Sequence, residues 1–139
     1  MHILEFSSIF LFGAIGYGSI EVMWRGYTHW TMLTAGGLSM YIIYLISTRM
    51  RDELWKKMIM CACSVSALEF SLGCLINLRL GWSVWDYSDM PLNLMGQICP
   101  QFSAFWMLLS LPCILLSQFI YRFVFLPNLR RREKSLDNT

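Results

Sequence analysis

Apolar residues along this chain do not alternate and do not mark one face of a helix; they come in four long blocks separated by short polar breaks. A bilayer core asks for about 20 consecutive apolar residues from one helix. By window hydropathy and that length rule, four spans are expected at about 4–24, 30–48, 58–78 and 100–126. The predicted fold is an all-α membrane protein, a four-transmembrane-helix bundle over 1–126, followed by a basic cytoplasmic tail, 127–139. The first block carries Glu5 where a signal peptide would be basic, and no small-residue cleavage site precedes Glu21. It therefore reads as a membrane helix.

Between residues 90 and 121 there is no charge at all, too long a stretch for one upright span. Pro91, Pro100 and Pro112 divide it. Pro100 suits the first turn of a helix, where its missing N–H is harmless, and Pro112 is expected to kink the fourth span. The part 91–99 reads as a re-entrant or interfacial segment. Non-helical backbone at membrane depth survives only against protein or a wet cavity, so this segment is a candidate wall of a site.

Composition agrees with the blocks. The 139 residues are 56% hydrophobic and 14% charged, against about 25% charged in ordinary soluble domains. The net charge of +2 matters less than its placement. Arg49, Arg51, Lys56, Lys57, Arg122, Arg130, Arg131, Arg132 and Lys134 fall on one side, Arg25 and Arg79 on the other. Nine against two sets both termini and the loop after the second span in the cytoplasm. The expected location is the cell membrane, crossed several times.

No phosphate-loop motif occurs, which excludes ATP binding by that route, and no basic patch with interleaved aromatics suggests nucleic acid. Cys61, Cys63, Cys74, Cys99 and Cys113 form no C-x-x-C and sit in apolar segments, where thiols act as small hydrophobes. No cofactor, metal site or nucleophile motif is indicated.

The candidate chemistry is polar residues in the wrong place. Glu69 is the only charge between 58 and 78. A carboxylate at mid-depth costs about 2.5–3.5 kcal/mol on insertion scales, and such residues mark functional sites. Gly13, Tyr17, Glu21, Arg25 and His29 recur every four residues, one stripe of a helix, and Glu21 and Arg25 are placed to pair. Glu69, Gly73 and Asn77 repeat the step; Gly73 is expected to admit a neighbouring backbone. Asn93, Gln97 and Gln101 repeat it again across Pro100. The connection from Arg79 to Asp89 holds Trp82, Trp85, Asp86, Tyr87 and Ser88, either an aromatic anchor with a tight turn or a lid. Glu21, Arg25, His29, Asn77, Arg79, Trp85, Asp86, Tyr87, Asn93 and Gln97 then form an outward-facing polar vestibule with Glu69 at its floor. Spans one and three each carry a glutamate after an aliphatic residue, a pattern open to reading as a degenerate repeat.

Glu21-Val-Met-Trp-Arg-Gly-Tyr-Thr-His-Trp-Thr-Met32 with Gly36-Gly37 resembles a signature of the ABC-transporter permease, type IV, family. So do Glu69-Phe-Ser-Leu-Gly73 with Asn77, Trp85-Asp-Tyr-Ser88, and Asn93-Leu-Met-Gly-Gln-Ile-Cys99. The resemblance implies a polytopic protein of the bacterial inner membrane. An ATPase partner would follow from ATP-driven transport. Four spans seldom enclose a path alone, so a homo-oligomer or another membrane subunit is an expected partner.

Three functions compete. The first is a transport or ligand-binding component for a small polar or ionic solute, with Glu69 exchanging a proton or holding a cation. The second is an accessory subunit whose polar residues specify packing. Third ranks a lipid-modifying enzyme in which His29 works with Glu21 or Asp86 as acid and base.

Overall fold

The computed structural model describes residues 2–128. Four helices cross it: α1 (His2–Arg25), α2 (Trp30–Arg49), α3 (Leu54–Gly73) and α4 (Pro100–Ile120). Helix α3 continues as a π-helical stretch over Cys74–Arg79, and α4 as another over Tyr121–Phe125. All four are long and apolar enough to cross a membrane, from Ile3–Arg25 to Pro100–Asn128. There are no strands among the described residues, only an isolated antiparallel bridge between Leu94 and Ile98. The tail cluster Arg130, Arg131, Arg132 and Lys134 lies outside the described residues.

Local chemistry sets the ends. Gly26 stops α1 with φ +79°, the left-handed conformation that ends helices cheaply only in glycine. His29 opens α2: its ring Nδ1 accepts from the Thr31 N–H, an end donor that would otherwise be orphaned. Pro100 begins α4 at its first position. Pro112 lies inside α4 without terminating it.

The third span is longer than 58–78, running from Leu54 to Arg79. This corrects the reading of Lys57 as a loop cation. It sits within α3, is buried, and donates to the Ser47 carbonyl at 3.2 Å. A lysine stem lies along apolar surface while its ammonium caps the last turn of α2, where the helix end is partly negative.

Helix α2 is the centre of the bundle. Half of its span is buried, against 17% for α1 and for α4. It supplies residues to three apolar clusters: Met40 and Tyr44 with Ile9 of α1, Ile43 with Cys61, Val65 and Ile114, and Met32 with Ile76 and Trp85. Ser66 of α3 and Ser103 of α4 share a hydrogen bond of 2.8 Å across their interface. Leu11, Ile15, Met23, Leu108 and Phe119 are exposed, which in a bilayer is the lipid-facing surface. Trp24, Tyr27, Trp30 and Trp82 are exposed near one end, where amphipathic rings meet the headgroups. By the charge distribution this is the outer end.

The closest helix contact is between α1 and α2. A Cβ on Gly13 would collide with the side chain of Met40 and lie 2.7 Å from the Gly36 carbonyl. One on Gly36 would collide with the Tyr17 Cβ and sit 3.0 Å from the Gly13 carbonyl. Small residues let membrane helices approach this way. Gly73 plays a different part from the expected one. The three atoms nearest to a Cβ placed there belong to the Gln97 side chain, 2.5–3.1 Å away. The two hairpins are thus built on different contacts.

Gly36→Val should separate α1 from α2 and cost about 1–3 kcal/mol, the range for overpacking a tight interface. Thermal unfolding in detergent checks it: an unchanged midpoint would show that α1 packs elsewhere.

Candidate functional site

The 20 residues between the third and fourth spans, 80–99, fold back onto the outer end of the bundle. Their backbone is irregular, and its deepest parts, Trp85, Gly96, Gln97 and Cys99, are buried against protein. Irregular backbone at that depth needs such cover.

Asn77 is the peg on which this segment hangs. The π-helical turn widens α3 where Ile76 and Asn77 point inward. The Asn77 amide donates to the Trp85 carbonyl at 2.9 Å and to Gln97 Oε1 at 2.8 Å, and its oxygen accepts from the Val84 N–H at 2.8 Å. The Trp85 indole N–H donates to the Gln97 carbonyl at 3.1 Å, and the Gln97 amide donates to the Met95 carbonyl. Asn93 shapes the next turn, donating to the Ser88 and Met90 carbonyls and accepting from the Gly96 N–H. At the other edge, Arg25 pairs with buried Glu21 and donates to the Val84 carbonyl at 3.3 Å. The Thr28 hydroxyl also donates to Glu21. Sequence spacing placed Glu21 beside Arg25; the tie from Arg25 to residue 84 is a tertiary contact.

Beneath this cover lies Glu69, 8% exposed. It is 10 residues before Arg79, the end of its span, and so more than two helical turns below the outer end. Its two oxygens have different partners. The Tyr87 hydroxyl, from the covering segment, donates to one at 3.0 Å; the Trp106 indole N–H, from α4, donates to the other at 2.9 Å. Among the described residues no basic side chain is within 4.0 Å of it. Hydrogen bonds to a charged group contribute about 1.5–3 kcal/mol each. Two of them are the right size to offset the insertion cost of about 2.5–3.5 kcal/mol.

Aromatic rings complete the surroundings. Tyr17 stacks on Trp106 with centroids 5.6 Å apart, and Tyr87 stacks on Phe102 at 4.5 Å. A cavity of about 10 Å³ open to a water's centre lies among Tyr17, Met32, Ser39, Glu69, Trp85 and Trp106. That is room for about one water. Burial, reinforced by the neighbouring Glu69 carboxylate and its hydrogen bond, holds the Tyr87 phenol well above its ordinary range. It therefore keeps the proton it donates.

The other expected site residues stand apart. Asp86 is exposed and accepts from the Ser88 hydroxyl and N–H, which hold its carboxyl below the ordinary value; this is a local turn. Arg79 is exposed and has no part in these bonds. His29 caps α2 and lies beside Trp30 and Trp82. It bonds neither Glu21 nor Asp86, so the acid–base pairings expected of it do not form. The expected vestibule does not stand open: Asn77, Gln97 and Trp85 bond one another, as do Glu21 and Arg25, and the space at Glu69 is one water in size. Asn93, Gln97 and Gln101 form no common stripe, because Asn93 and Gln97 belong to turns and Gln101 is exposed on α4.

Spacing within one helix missed Trp106 and Thr28. A signal for Trp106 existed: an indole N–H in an apolar span needs an acceptor, and Glu69 is the one carboxylate in the neighbouring span.

The arrangement defines a class: a small multi-pass membrane protein whose buried carboxylate is covered from outside by a folded connection. The family described as putative ABC-transporter type IV matches residues 9–133, and the chain belongs to it. That membership and the four spans give the protein a membrane transport-related role. No solved structure matches the chain.

Gln97→Ala would leave one of the two Asn77 amide N–H groups without its acceptor, the other still meeting the Trp85 carbonyl, and empty the space over Gly73. A buried polar group left unpaired costs about 1–3 kcal/mol. Hydrogen exchange should therefore quicken across 82–98 while the inner halves of α2 and α3 keep their protection. Equal exchange in both proteins would remove Gln97 as a fastener.

Proposed function

We propose that the chain is the membrane component of a transport system for a small polar or ionic solute. Glu69 is the group that meets the solute, and segment 80–99 is the outer cover of its site. One observation carries this reading: a carboxylate deep in a span, without a basic partner among the described residues, takes one donor from the bundle and one from the connection above it. The two bonds differ in kind. Trp106 belongs to a membrane helix; Tyr87 belongs to a connection fastened by directional hydrogen bonds and by Trp85 packed on Met32 and Ile76, which in this reading lifts as a unit. Lifting it would turn the closed outer surface into the vestibule, with Glu21 and Arg25 at its rim. A phenol can donate or accept, so the Tyr87 bond has a partner whether Glu69 is ionised or carries a proton. Proton exchange at Glu69 fits that chemistry.

Transport by four spans alone is improbable on geometric grounds, since a path needs walls on all sides. We take the complete unit to be an oligomer or an assembly with another membrane subunit. The chain has no phosphate loop, so an ATPase partner would supply ATP hydrolysis, meeting the cytoplasmic connection between Arg49 and Leu54. A bacterial inner membrane is the setting that the family resemblance favours.

A second reading has an observation of its own. Both Glu69 oxygens are satisfied by the protein, as in an accessory subunit where the carboxylate only pins the connection.

Reconstituted vesicles with an internal pH dye separate the two. Glu69→Gln at equal incorporation should reduce proton movement down an imposed gradient to the level of empty vesicles. Unchanged proton movement, with a lowered unfolding midpoint, would favour the accessory role and remove proton exchange.

A further inference from the structure

The residues around Glu69 also define what kind of solute suits it. Three features coincide. The first is a carboxylate with no basic side chain within 4.0 Å among the described residues. An ammonium or alkali cation would supply the missing charge, whereas an anion would meet repulsion in a medium that screens poorly. The second is the ring wall. Tyr17, Trp85 and Trp106 line the same cavity as Glu69, and the Tyr87 hydroxyl bonds the Glu69 carboxylate. Aromatic faces attract cations, most strongly when both are desolvated, and a cage of them is the known chemistry of quaternary ammonium recognition. The third is the rest of the lining, with Met32, Ala35, Gly36, Val65 and Leu68 adding carbon and sulfur. An alkali cation needs a shell of oxygens, and this cavity offers only Glu69, Ser39 and the Tyr17 hydroxyl as side-chain oxygen ligands. An alkylammonium needs one counter-charge and an apolar, polarizable wall.

We infer that the site takes a small organic cation, an amine or quaternary ammonium held by Glu69 within the rings of Tyr17, Trp85 and Trp106. This rests on the reading of Glu69 as the solute-meeting group and adds its ligand class. The present cavity holds about one water. The cation therefore enters only when Tyr87 withdraws its hydroxyl, which makes Tyr87 a competitor for the carboxylate as well as a latch. Removing that hydroxyl alone should help the ligand bind.

The test uses the full chain in lipid nanodiscs and radiolabelled tetramethylammonium in equilibrium dialysis. The wild type should bind it saturably, and a large excess of potassium chloride should not displace it. Tyr87→Phe should bind several-fold more tightly. Glu69→Gln should weaken binding on the order of tenfold or more, as expected for loss of a charged partner. If Glu69→Gln does not assemble, Tyr87→Phe decides, because it keeps the carboxylate and every ring. The inference is overturned by absence of saturable binding to both wild type and Tyr87→Phe, by displacement with potassium, or by Tyr87→Phe binding no more tightly than wild type. Proton movement that depends on Glu69, found together with no tetramethylammonium binding, would sink the ligand class and leave the transport reading standing.

Discussion

A carboxylate inside a bilayer has no bulk water to turn to, and the outer half of this protein is arranged around that need. Glu69 accepts from Trp106 and Tyr87. Trp106 fixes the rotation of α4 against α3 and carries Tyr17 of α1 on its ring. Tyr87 fixes how deeply the connection 80–99 sits, and stacks on Phe102 at the start of α4. Through two donors, one acidic side chain therefore relates three helices and the irregular segment above them. Were the carboxylate absent, two buried donors would lose their acceptor. Leaving such groups unpaired in a poorly solvating interior costs more than either bond adds in water.

The cover is held by directional polar chemistry added to the packing of Trp85 on Met32 and Ile76, whereas the helices beneath it are held mainly by packing. α1 and α2 approach through Gly13 and Gly36, and α2, α3 and α4 meet through Ile43, Cys61, Val65 and Ile114. Apolar contacts of this kind persist through small shifts. The Asn77–Gln97–Trp85 set is directional: once its geometry is lost, every member is left short of a partner. A segment fastened that way has two sharply different states. That property suits a cover that opens, and it explains why so many side chains of the outer loop point into their own backbone.

The resemblance read from the motif residues and the family match agree, and the structure shows what those motifs build. Glu21 to His29 forms the end of α1 and the cap of α2. Trp85-Asp-Tyr-Ser88 and Asn93 to Cys99 form the cover. Glu69, Gly73 and Asn77 form the floor and the peg. Residues that looked like one ligand-binding set divide into groups with different tasks: Asn77, Gln97, Asn93 and Arg25 hold the cover, Asp86 makes a local turn, Arg79 faces outward, and Glu69, bonded by Tyr87, meets the cavity. Spacing could not make that division, because a stripe on one helix says which residues share a face and nothing about what lies across from it.

Span number, span order and the charge bias between the two ends were readable from residue order alone. They are additive, local properties: about 20 apolar residues make a crossing whatever surrounds them. Pro100 and the Glu21–Arg25 pair were readable for the same reason, each acting within a turn or two of the chain. The partners of Glu69 were not, since they come from 18 and 37 positions away. Nor was the task of Gly73, which depends on the side chain of Gln97 arriving from a segment with no helical period. Whether a buried acid is open, paired or covered depends on which distant donors the packing delivers to it, and only the tertiary structure decides that.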